Sequence, residues 1–233
     1  MKNKYNYIPF LLIIFSLYSL SAKAQDDYKY EIGGMAGVSF YMGDANKTKL
    51  YNDIGPAFGG VFRYNFDLRW GLKTNLLMGQ VSGDTRNFSN AFPFEQHASF
   101  KRFFGEVGTQ IEFNFFSYSD QFAYLGAKRF TPYVFTGIGF TFAGGDKTFF
   151  DANIPMGIGL KYKVKDRLNL GFEFSFRRLF SDSFDVTKQG GLQLNDPYKI
   201  KSSVFKNKDW YSLTMFSVTW SFGARECPCL NIE

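Results

Sequence analysis

From Leu168 to Arg177 the chain alternates without a break. Leu168, Leu170, Phe172, Phe174 and Phe176 fall on one face, and Asn169, Gly171, Glu173, Ser175 and Arg177 on the other. A period of two is the signature of a strand whose side chains meet two different environments. Seven further segments read the same way: Tyr30 to Met42, Ala57 to Phe66, Trp70 to Val81, Phe103 to Phe115, Pro132 to Phe142, Ile154 to Val164 and Trp210 to Phe222. The resulting total of eight is even, and each segment is near the roughly 9–11 residues that a tilted strand needs to cross a bilayer. The expected fold is all-β, an eight-stranded antiparallel transmembrane β-barrel of the OmpA/OmpX size over residues 25–223.

The surplus of apolar side chains supports this expectation. With 30 Phe and 20% aromatic residues, the chain has more than a soluble domain of 233 residues needs for its core. The connections supply an independent test. Tight links at Phe66-Asp-Leu-Arg69 and Val164-Lys-Asp-Arg167 alternate with longer ones at Gly43 to Pro56, Ser82 to Arg102, Ala143 to Asn153 and Ser181 to Asp209. Short periplasmic turns and long external loops produce that alternation. The link from Phe116 to Thr131 departs from it: it belongs to the short-turn side yet exceeds ten residues, and it ends in Lys128-Arg129. A length the barrel does not need marks a candidate contact surface, with Lys128 and Arg129 as partner-binding residues.

A secreted barrel of the lipocalin kind, apolar inside around a ligand, would alternate equally well. The glycines argue against it. Gly33, Gly37, Gly59, Gly71, Gly79, Gly108, Gly137, Gly139, Gly157 and Gly171 share the charged face, and small residues belong inside a narrow barrel. Trp70, Tyr133, Tyr162, Trp210 and Trp220 lie near strand ends and read as interfacial aromatic girdles.

Residues 1–24 have the features of a secretory signal peptide: Lys2 and Lys4, an apolar run from Ile8 to Leu20, and Ala22-Lys-Ala24 as a cleavage site. The run is shorter than the about 20 apolar residues of a membrane helix. Gln25, not a cysteine, directly follows Ala24, so lipoprotein processing is not suggested. Removing the three lysines of this segment from a formal charge of +6 leaves about +3, which gives no support to nucleic-acid binding.

Glu31, Glu106, Glu112 and Glu173 face inward with Arg63, Lys73, Lys161, Lys163 and Arg177. Such a set is either an ion path or a salt-bridged plug. An eight-stranded interior is too narrow for an aqueous channel, so the plug is expected. Some small membrane barrels modify lipids with a Ser and His pair; here the single histidine, His97, lies in a long loop beside Glu95, Ser99 and Lys101, where a surface role is the simpler reading. Asn46-Lys-Thr48 and Asn87-Phe-Ser89 match the glycosylation sequon, which often occurs by chance. No cofactor is implied.

Several blocks in order, Ala36-Gly-Val-Ser-Phe-Tyr-Met-Gly-Asp-Ala45, Arg69-Trp-Gly-Leu-Lys-Thr-Asn75, Val81-Ser-Gly-Asp-Thr85, Glu112-Phe-Asn-Phe-Phe116 and Phe176-Arg-Arg-Leu-Phe180, resemble the PorG family of Bacteroidetes outer-membrane barrels. That family belongs to the type IX secretion and gliding apparatus. The resemblance spans nearly all of residues 25–233. It implies an eight-stranded barrel that associates with the periplasmic ring of PorK-type lipoprotein and PorN-type protein and anchors that ring to the outer membrane. It implies no enzyme activity. A lipid-modifying enzyme and a passive membrane-stabilising barrel are the alternatives.

Both cysteines, Cys227 and Cys229, lie in the final segment 224–233, expected in the oxidising periplasm. A disulfide between them would close a very small strained ring around Pro228, and zinc would need further ligands nearby. Pairing with another chain, the ring lipoprotein first among the ring components, competes with a disordered tail whose cysteines are incidental. The pairing reading expects a reducible higher-mass band on non-reducing gels of membranes that contain the ring proteins. Equal monomeric migration of the wild type and a Cys227→Ser, Cys229→Ser variant refutes it.

Overall fold

In the computed structural model, residues 28–42, 51, 53–84, 99–119, 126–144, 148–180, 184 and 209–224 are described. Eight strands form one closed antiparallel barrel in chain order. They are β1 (Tyr28–Met42), β2 (Gly55–Asn65), β3 (Trp70–Asp84), β4 (Ser99–Asn114), β5 (Phe130–Gly144), β6 (Phe149–Lys165), β7 (Leu168–Leu179) and β8 (Trp210–Ala224). The seam between β1 and β8 is paired from Tyr28↔Ala224 to Met42↔Trp210, so no edge is left to aggregate. A closed barrel satisfies every interior strand hydrogen bond, as spanning lipid demands.

Burial alternates as the sequence requires, but inverted with respect to a soluble protein. Ile138, Phe103 and Phe216 are 69%, 67% and 64% exposed on the outside, while Lys73 and Glu106 are fully buried. At about 25 cal/mol per Å² of apolar surface in contact with water, such a wall is stable only in lipid. The lipocalin arrangement is thereby inverted as well.

Strands β3, β4, β5 and β6 run further toward the long loops than hydrophobic alternation alone indicates. The β3–β4 ladder continues to Asp84↔Ser99, and β5–β6 to Ala143↔Phe149. The links expected over Ser82 to Arg102 and Ala143 to Asn153 are thus partly strand. Backbone pairing needs no lipid, so it persists where the apolar band has ended. Phe150 still faces out, stacked on Phe140 at 5.9 Å.

Inside, size is matched across strands. Tyr133, Phe135 and Phe104 point inward opposite Gly159, Gly157 and Gly79. A Cβ on those glycines would meet the rings at 2.5–2.8 Å, so each glycine provides the space its partner ring fills. At the seam the constraint is the backbone itself: a Cβ on Gly33 would lie 2.0 Å from the Val218 carbonyl oxygen, whereas one on the outward Gly34 has nothing nearer than 3.8 Å.

Gly33→Ala is therefore expected to cost about 3 kcal/mol or more and to abolish the compact, heat-modifiable gel form of a closed barrel. Gly34→Ala should keep that form, which semi-native electrophoresis reads directly.

Candidate functional site

Every inward charge expected from the sequence is buried: Glu31, Glu106, Glu112, Glu173, Arg63, Lys73, Lys161, Lys163 and Arg177. They assemble into two networks at different levels. In the first, Glu112 on β4 is the hub. It accepts from Arg63 Nε at 2.7 Å and Lys161 Nζ at 2.6 Å, with Lys73 Nζ at 3.5 Å. Arg63 also pairs with Glu31, which accepts from Asn65 at 3.0 Å and Thr219 at 3.0 Å. Lys73 crosses the lumen from β3 to β7 and donates to both Glu173 oxygens at 2.7 and 2.8 Å.

Tyr133 belongs to this network and not to an interfacial girdle. It is 1% exposed. Its hydroxyl donates to Glu173 at 2.6 Å, and Lys161 Nζ lies 4.4 Å from its ring centre. The parity that puts Val134 outside puts Tyr133 inside, and nearness to a strand end does not override parity. The other girdle residues Trp70, Tyr162 and Trp220 are exposed, and Trp210 is half-exposed beneath Arg178.

The second network lies nearer the long loops. Arg177 reaches across from β7 to Glu106 at 3.2 Å and also donates to Ser175. Glu106 accepts from Tyr211, whose hydroxyl meets Thr141 at 2.8 Å. Above it the lumen turns apolar, with Tyr41, Phe100, Phe104, Phe149, Leu179 and Phe184 in one buried cluster. Asp209 ties this cap together: Tyr41 donates to its carboxylate at 2.5 Å and the Phe184 amide at 3.0 Å. The expected salt-bridged plug is thus only part of the filling. Sequence reading missed the aromatic cap and the buried Arg102 and Asp209, because Phe100, Arg102, Phe149, Phe184 and Asp209 belong to segments read as links, while Tyr41 and Phe104 sit at the ends of expected strands.

At the short-turn end the described parts of the β4–β5 connection, residues 115–119 and 126–129, fold under the mouth. The Tyr118 amide donates to the Leu68 carbonyl at 3.0 Å and its hydroxyl to Asn169 at 3.1 Å, while Lys163 Nζ lies 5.4 Å from its ring centre. Backbone bonds from Ser119 to Lys128 at 3.1 Å, Lys128 to Ser117 at 2.8 Å and Lys163 to Arg129 at 2.8 Å fasten the strap. The side chains of Lys128 and Arg129 remain exposed, with Lys128 Nζ 4.1 Å above the Phe116 ring. Cys227, Cys229, His97, both sequons and residues 1–24 lie outside the described residues. Among the described residues no cluster of His, Cys, Asp and Glu could hold a metal ion.

A family model described as a domain of unknown function matches residues 7–231. The chain belongs to this family, DUF6089. No curated protein sequence matches it. Solved structures similar to this DUF6089 chain include three bacterial barrels. Neisserial surface protein A is 12% identical, covering 83% of this chain and 97% of its own, with a TM-score of 0.49. The attachment invasion locus protein Ail of Yersinia pestis is 12% identical over 84% and 99%, with a TM-score of 0.47. The N-terminal β-barrel domain of Pseudomonas aeruginosa OprF is 11% identical over 82% and 97%, with a TM-score of 0.41. At these values no role passes from them to DUF6089.

Removing one member of a buried pair strands its partner. Lys73→Met leaves the Glu173 carboxylate without its cation and is expected to destabilise the barrel by about 3–5 kcal/mol. Adding Glu173→Gln should recover much of the loss, as urea unfolding in detergent micelles can measure.

Proposed function

We propose that this chain is an outer-membrane, non-enzymatic barrel of the PorG type. In this reading it anchors the periplasmic ring of PorK-type lipoprotein and PorN-type protein to the outer membrane in the type IX secretion and gliding machinery. The observation that carries the reading is the strap at the short-turn end. It is longer than the barrel requires, it is fixed by backbone bonds, and it holds Lys128 and Arg129 exposed where a periplasmic partner would reach them. The ordered sequence blocks shared with the PorG family point the same way.

The filled lumen supports a role carried by the ends of the molecule. Ion pairs cross the interior at two levels and rings cap it above. β8 ends at the short-turn end, the end that carries the strap. A disulfide from either cysteine to the lipoprotein would add a covalent tie to a surface already presenting cations.

Pull-down of the full chain from membranes is expected to bring the ring proteins with it. Removal of residues 224–233 together with Lys128→Glu and Arg129→Glu should cut recovery about tenfold. Failure of the intact chain to recover any ring protein, or unchanged secretion on deletion of the gene, would sink the proposal and leave the passive barrel.

A further inference from the structure

The outer wall carries a groove of ≈ 610 Å³. One circumferential row of outward residues pairs in register as Phe58↔Met78↔Gly105↔Phe142↔Phe150 across β2 to β6. Phe58, Met78, Phe142 and Phe150 all project from the wall, and at Gly105 the row has a gap. In the next row toward the long loops, Phe103 stands beside Gly144. The groove is thus floored by two glycines and walled by apolar side chains.

Neither glycine is needed by the barrel. A Cβ on Gly105 would meet only the Leu77 carbonyl oxygen at 3.9 Å, and one on Gly144 nothing within 4 Å. Inward glycines such as Gly37 and Gly137 are closed off by backbone at 2.0 and 2.1 Å. What Gly105 and Gly144 provide is space outside the wall, on the face that meets lipid.

The depth of the groove follows from the strand. Ten residues of β4 separate Phe113, beside the girdle residue Trp70, from Phe103. At a rise of about 3.3 Å and a tilt of about 40° that is about 25 Å, the height of the apolar band of such barrels. Phe103 therefore marks the far edge of the acyl layer. The next outward residue, Lys101, is exposed at headgroup level and has no carboxylate partner among the described residues.

We propose that the groove holds one acyl chain of a phosphorylated lipid in the leaflet at the long-loop end, with the Lys101 ammonium on its phosphate. The occupant is a lipid because the groove opens into the bilayer and is almost wholly apolar, Gln80 and Thr148 being the only polar side chains among the described residues that line it. The phosphate is assigned from Lys101, which lies outside the lining itself, one outward position beyond Phe103 on β4. This inference rests on insertion in the outer membrane, where that leaflet offers lipids of the lipid A type.

Native mass spectrometry of the full-length chain in detergent, titrated with lipid A and with its dephosphorylated form, tests the assignment. One lipid A is expected on the wild type, with retention reduced about tenfold by Gly105→Phe and by Gly144→Leu. Lys101→Gln should reduce lipid A to the level of the dephosphorylated form. The heat-modifiable gel band establishes that each variant is folded, and if Gly105→Phe does not fold, Gly144→Leu decides. Equal retention of lipid A by folded groove variants and wild type overturns the proposal, as does equal retention of both lipid forms by the wild type. Membrane fractionation reports separately whether the barrel inserts at all, so a failed membrane assignment is not confused with a failed groove.

Discussion

Charges enclosed in a narrow lumen must find each other, and that requirement organises this barrel. A buried carboxylate or ammonium loses several kcal/mol of hydration, and here water has little room to restore it. Glu112 meets the loss with three cations from three different strands, Arg63, Lys73 and Lys161. Gly79, Gly157 and Gly159 also shape that lumen, because the rings of Phe104, Phe135 and Tyr133 fill the space they leave.

Much of this was legible in the sequence. Strict parity on β7 and β4 assigns Glu173, Arg177, Glu106 and Glu112 to the interior, and all four are there. Parity also places Tyr133 inside; its proximity to a strand end suggested the membrane interface and was the weaker signal. What alternation cannot show is which inward residues meet. Barrel strands are tilted and staggered, so Lys73 is paired in register with Gln110 and Arg63 while its ammonium sits on Glu173 across the lumen. The meeting point is a property of closure, which no local pattern encodes.

The long-loop end was least legible, for a related reason. Within lipid most outward positions are apolar, Thr74, Thr109 and Thr136 being exceptions, and the pattern is sharp. Beyond the bilayer the outside is free to be polar and the inside apolar, as with Phe100 and Phe149, so the alternation loses its meaning while the hydrogen-bond ladder continues. The strap at the opposite end was visible only as excess length. Nothing in its composition foretold that Tyr118 would tuck beneath the mouth.

The cross-lumen pairs also bear on how the molecule enters its membrane. Glu31 on β1 accepts from Thr219 on β8 and pairs with Arg63, while Lys73 and Glu173 join β3 to β7. In an open, curling sheet these groups would face water and be content there, so an unclosed intermediate is tolerated in an aqueous compartment. In hydrocarbon the same sheet would present bare charges to acyl chains. Closure must therefore precede or accompany burial in the bilayer, and the ionic interior serves as a checkpoint that admits only the finished ring of strands.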